Sequence, residues 1–170
     1  MGQFAQQPDF ITKATEINKS DTINNSKKLN GAAIYVGTTG DLNVIMVGVN
    51  KPGHVTATSG LAGGTGYTAA TDVATTGGSG TGLTVDTTVA AGVITAIAIN
   101  NVGEEYKPGD KITITGGTVL AKFEVSSVSN FPTASQAVEF VGIPAGTYLP
   151  VSVDYVLATD TTAGSLIACY

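Results

Sequence analysis

The chain has 170 residues, a formal net charge of −5, 42% hydrophobic and 12% charged residues, and no arginine. The charged fraction is about half of the roughly 25% usual in globular proteins, and a positive mean hydropathy of +0.23 excludes a disordered chain, which pairs low hydrophobicity with high charge. An acidic balance without arginine, the residue that grips phosphate and guanine bidentately, excludes a nucleic-acid-binding protein.

Residues 1–30 are polar and irregular. Phe10, Ala14 and Ile17 fall on one face of a short helical pattern, but so brief a helix is marginal alone. The segment reads either as a flexible terminus or as an N-terminal arm that lies across a neighbouring subunit. Phe4, Phe10, Ile11 and Ile17 are its candidate contacts with a partner subunit, because large apolar side chains are costly to leave in water. From Gly31 the pattern becomes β. Ala32–Val36 and Leu42–Val49 flank the turn Gly37-Thr38-Thr39-Gly40-Asp41 and read as a hairpin.

Residues 53–132 are rich in Gly, Thr and Ala but still alternate. Leu83, Val85, Thr87 and Val89 share a face. Val93–Ile99 is a nearly continuous β run, Ile112 and Ile114 alternate with Lys111 and Thr113, and Val119, Ala121, Phe123 and Val125 oppose Leu120, Lys122 and Glu124. Period-2 patterning predicts strands and not a flexible linker. A faint repeat runs through the region: Gly64-Thr65-Gly66-Tyr67 before Asp72, and Gly103-Glu104-Glu105-Tyr106 before Asp110. Residues 133–170 hold three further runs, Ala137–Ile143, Val151–Leu157 and Ser165–Cys169.

About eleven short strands and no secure helix predict an all-β fold. The expected architecture is a β-sandwich (jelly-roll-like) core from residues 31–52 plus 133–170, preceded by the arm 1–30. Residues 53–132 are expected as an inserted Gly/Thr-rich β lobe.

Two segments resemble the small "spike base" proteins of tailed phages and phage-like gene transfer agents. One is Ser20-Asp21-Thr22 leading into GAAIYVGTTGDLNVIMVGV (31–49), and the other is VEFVGIPAGTYLPVSVDYVLATDTTAGSLIACY (138–170). The middle region is similar to a β module of structural proteins of marine phages, especially those infecting cyanobacteria. The resemblance implies a non-enzymatic virion subunit on the outer capsid surface, made in the host cytoplasm. Its implied partners are the major capsid protein, copies of itself and a head fibre protein. The chain departs from the spike-base pattern in the 80-residue insertion (53–132) and in Asp160, where the pattern has glycine.

The residues that carry chemistry point the same way. His54 is the one histidine, follows Lys51-Pro52-Gly53, and reads as a solvated loop residue outside any nucleophile motif. Cys169 is the one cysteine, so no internal disulfide forms; it reads as a buried small side chain. Glu104 and Glu105 are adjacent and read as solvated, unlike the facing carboxylates of a glycosidase. Asp72 and Asp110 are candidate Ca²⁺ ligands, with turn capping as the preferred alternative. The run Thr76–Gly82 lacks the Lys-Ser/Thr ending of a phosphate-binding loop. No run approaches the ~20 apolar residues of a membrane helix. No cofactor, nucleic acid or membrane is expected. The alternative function is a tail- or fibre-associated module that binds a receptor or glycan, for which Tyr67 and Tyr106 would be the aromatic platforms.

Overall fold

The computed structural model describes residues 11–170. Its strands are β1 (Ala14–Glu16), β2 (Ala32–Thr38), β3 (Gly40–Met46), β4 (His54–Ala62), β5 (Ala70–Gly77), β6 (Thr81–Ala90), β7 (Val93–Glu104), β8 (Lys111–Ile114), β9 (Lys122–Ser129), β10 (Val138–Ile143), β11 (Thr147–Val156) and β12 (Gly164–Cys169). Two single turns of 3₁₀ helix, Asn25–Lys27 and Ala134–Gln136, are the helical elements among the described residues. The protein is all-β, with a sandwich-like core and an inserted second β lobe. The chain divides into two compact units, residues 1–50 with 132–170 and residues 51–131.

The first unit is an antiparallel sheet in the order β1-β12-β2-β11-β3-β10. β2 and β3 are joined through Thr39 alone but do not pair. β11 lies between them, with Thr147–Leu149 against β2 and Val153–Val156 against β3. The expected hairpin is therefore absent: a strand from more than 100 residues later takes the place that a turn would have closed. Ile34 and Val36 of β2 share one cluster with Leu42 and Val44 of β3, Val153 and Leu166. Alternate residues of both strands therefore face one shared interior. Ile45 and Tyr155 point the opposite way, into a smaller cluster with Leu157 that Ile23 helps to cover.

Ile23 belongs to the stretch read as an arm. From Thr12 onward this stretch is part of the first unit. β1 pairs with β12 in the register Ala14↔Cys169 to Glu16↔Ile167, so Ala14 is in a strand and not in a helical turn. Lys19 Nζ donates to the Thr161 and Ala163 carbonyls at 2.9 and 3.0 Å.

The second unit is a six-stranded antiparallel sheet, β4-β9-β8-β5-β6-β7, curled into a nearly closed barrel. Its outer strands meet at both ends. Ile94 N–H donates to the Gly63 carbonyl at 3.0 Å, and Glu105 N–H donates to the Pro52 carbonyl at 2.8 Å. Closure removes open strand edges. The interior holds Val55, Leu83, Val85, Ile112, Ile114, Phe123 and Val125, all buried. The alternation read from 83–89 and 111–125 supplies these inward positions. Val119 is the exception: it lies outside the strands and is exposed.

Candidate functional site

The repeat tyrosines are structural. Tyr67 and Tyr106 are 7% and 4% exposed, so neither is a platform for a sugar. The Tyr67 hydroxyl donates to the Ile114 carbonyl and accepts from the Ala121 N–H, both at 2.8 Å. It thereby ties the end of β8 to the approach of β9. Gly64 and Gly117 lie so close to its ring that a Cβ at either position would collide with it. Gly80 and Gly103 accommodate Tyr106 in the same way. The Gly-x-x-Tyr repeat is thus a packing device, in which a glycine leaves room for a buried ring.

His54 also differs from its expected place. It is 3% exposed, in the first position of β4. Its Nδ1 lies 2.6 Å from the Gly103 carbonyl, which can only accept, so Nδ1 carries the proton. Nε2 is buried and has no hydrogen-bond partner among the described residues. The imidazole pins β7 to β4 at one end of the barrel seam. Pro52-Gly53 suggests a solvated turn locally, but a strand 49 residues later covers it.

Asp110 caps its turn. Its Oδ2 accepts from the Ser79 N–H (3.0 Å), the Ser79 hydroxyl (2.7 Å) and the Lys107 N–H (2.9 Å). These bonds, the Ser79 N–H foremost, hold its pKa below the usual carboxylate value. Asp72 Oδ1 accepts from the Thr84 hydroxyl at 2.6 Å, and Asp72 N–H donates to Asp86 Oδ1 at 2.8 Å. No three His, Cys, Asp or Glu side chains come together as a metal site among the described residues. Glu104 pairs with Lys51 at 3.1 Å, which raises the Lys51 pKa. Glu105 is exposed in a left-handed backbone conformation, φ 64°. Cys169 is buried.

Phe4 and Phe10 lie outside the described residues. Ile11 is exposed beside the bonds that join Thr12 and Lys13 to Tyr170. Ile17 packs against the core of its own chain and donates its N–H to the Leu166 carbonyl at 2.9 Å, so it is not a free partner contact.

The surfaces that remain for binding were not singled out by the sequence. Tyr35 and Tyr148 are exposed cross-strand neighbours on β2 and β11, continued across the sheet by Ile167 and Glu16. The edge strand β10 carries Val138 and Val141, the latter 74% exposed. Both positions follow from strand alternation once the pairing is known.

Asp21 gathers the ends of the first unit. Its Oδ1 accepts from the Ala158 and Thr159 N–H groups at 2.9 Å, and its Oδ2 accepts from the Thr159 hydroxyl at 3.0 Å. The Thr159 N–H is the largest cause of its lowered pKa. Thr161 and Thr162 then bond the Asn43 and Asp41 N–H groups through their hydroxyls, at 2.9 and 2.8 Å. Ser20-Asp21-Thr22 and Ala158–Gly164 therefore form one continuous polar lacing. No protein-family model, curated protein or solved structure matches the chain.

Proposed function

We propose that the chain is a structural subunit of a bacteriophage particle, a capsid decoration or head spike-base protein that binds the outer capsid and assembles with copies of itself. The observation that supports this reading is the Asp21 lacing. It joins the two separate segments that resemble spike-base proteins into one unit. In this reading the chain works by binding and carries out no turnover. The residues that could do chemistry have structural employment: His54 pins a seam, Glu104 pairs with Lys51, Asp110 caps a turn and Cys169 is buried. The partners are the major capsid protein, further copies of the chain and a head fibre protein.

Electron cryomicroscopy of particles that carry the chain tests the proposal. The expected result is a symmetric cluster on the outer capsid shell. Density in the tail or baseplate would overturn the head assignment in favour of a receptor- or glycan-binding module. The exposed Tyr35–Tyr148 pair is the surface such a module would use.

A further inference from the structure

Between β1 and the 3₁₀ turn Asn25–Lys27, the first unit has a groove of about 220 Å³. Three of the chain's eight lysines line it, Lys13, Lys27 and Lys28, against one carboxylate, Glu16. The groove is thus cationic in a chain whose net charge is −5. Lys28 Nζ lies 3.4 Å from Asp154 Oδ2, and Lys13 Nζ lies 5.1 Å from the centre of the Tyr170 ring. Lys27 makes no ion pair among the described residues. The floor is formed by Tyr155 and Val156, which are 2% and 5% exposed. The Tyr155 ring packs with Ile45 and Leu157, which leaves its hydroxyl end to face the groove. That hydroxyl has no hydrogen-bond partner among the described residues.

We propose that this groove is an oxyanion-binding site, which takes a carboxylate or phosphate group against Lys27 and the Tyr155 hydroxyl. A hydroxyl at the end of a buried side chain is costly to leave unpaired, so a ligand oxygen here replaces a water at little loss. Burial holds the Tyr155 pKa above its usual value of 10.0, so the phenol keeps its proton at neutral pH and serves as a donor. Lys28 pulls that value the other way, as an ammonium beside the phenol does. A lysine ammonium is a compact charge with three donors, suited to meeting single oxygens of an oxyanion. The Ser20 hydroxyl oxygen accepts from the Thr22 N–H at 3.1 Å, which leaves its proton to donate. A cationic ligand would be repelled by the three lysines, and an apolar one would leave the phenol without a partner. The inference rests on the groove alone and does not depend on the particle assignment.

Amide NMR titration of the full chain tests it, with inorganic phosphate, glucuronate and, as the neutral control, glucose, at an ionic strength held constant with chloride. Phosphate or glucuronate should shift the amides of residues 15–18 and 26–29 to saturation, and glucose should not. Saturation with phosphate alone assigns a phosphate ligand, with glucuronate alone a carboxylate ligand, and with both a site that reads only the oxyanion. Tyr155→Phe should weaken binding by about tenfold, the loss of one hydrogen bond to a charged group. It should not lower the thermal midpoint, because the hydroxyl serves no group of the protein. Lys27→Gln should weaken binding by about threefold, as loss of one exposed charge does, and reduce its dependence on salt. The absence of a saturable shift with either anion overturns the proposal. So do shifts that glucose reproduces, or binding that either variant leaves at full strength.

Discussion

Thr159 donates twice to the Asp21 carboxylate, from its backbone N–H at 2.9 Å and from its hydroxyl at 3.0 Å, across 138 residues of sequence. These bonds favour the ionised carboxylate and lower its pKa below about 3.8. A carboxylate with a depressed folded-state pKa adds stability that is present above its unfolded value and is lost as pH falls through the folded one. Asp21→Asn should therefore be less stable than wild type at neutral pH, with the difference shrinking toward about pH 3. Urea denaturation at the two pH values measures the gap; a constant gap would refute the ionic contribution.

Tyr67→Phe removes the hydroxyl that serves the Ile114 carbonyl and the Ala121 N–H. The ring stays, so the loss is polar and not a cavity. Two buried backbone groups lose a partner, and the barrel unit should lose about 1–3 kcal/mol. Hydrogen exchange at Ala121 should accelerate with the loss. Unchanged exchange there would mean that water replaces the phenol.

His54→Ala leaves the Gly103 carbonyl without its Nδ1–H donor and opens a void at the seam. The expected cost is about 2–4 kcal/mol, combining an unpaired acceptor with lost packing. A thermal midpoint within error of wild type would show that the imidazole does not hold β7 to β4.

Asp160 has φ 60°, a left-handed conformation in which an L side chain crowds the backbone and glycine does not. This is the position where the spike-base pattern has glycine. Asp160→Gly should be neutral or stabilising by up to about 1 kcal/mol, since relief of strain outweighs the added freedom of the unfolded chain. Asp160→Val should destabilise, because a β-branched side chain tolerates this region poorly. A clear loss on Asp160→Gly would mean that the carboxylate makes a contact worth more than the strain.

The sequence conveys faces better than it conveys partners. Leu83 and Val85, or Ile112 and Ile114, reveal their inward side by alternation alone, and the structure buries all four. Which strands pair is another matter. Gly37–Asp41 has the chemistry of a hairpin turn, yet β11 separates the two strands that it joins. Nothing near Thr39 can announce a strand that begins at Thr147. The same distance hides His54 and the repeat tyrosines. Pro52-Gly53 and Gly-x-x-Tyr are turn signals, but barrel closure decides whether the side chains beside them meet water. The Asp21 lacing was present only as two motifs at opposite ends of the chain, with no local hint that they touch.

The place of β11 between β2 and β3 also sets a timetable. As the chain leaves the ribosome, β2 and β3 emerge with no strand between them and wait for the residues from Thr147 onward. At about 5–20 residues per second, that delay is roughly 5–20 s. Every strand that β4–β9 need is made within the interval, so the barrel can mature co-translationally while its host sheet is still half-made. The late strands then reach early ones whose edges have been unpaired longest, and until they do those edges are open to pairing with another chain.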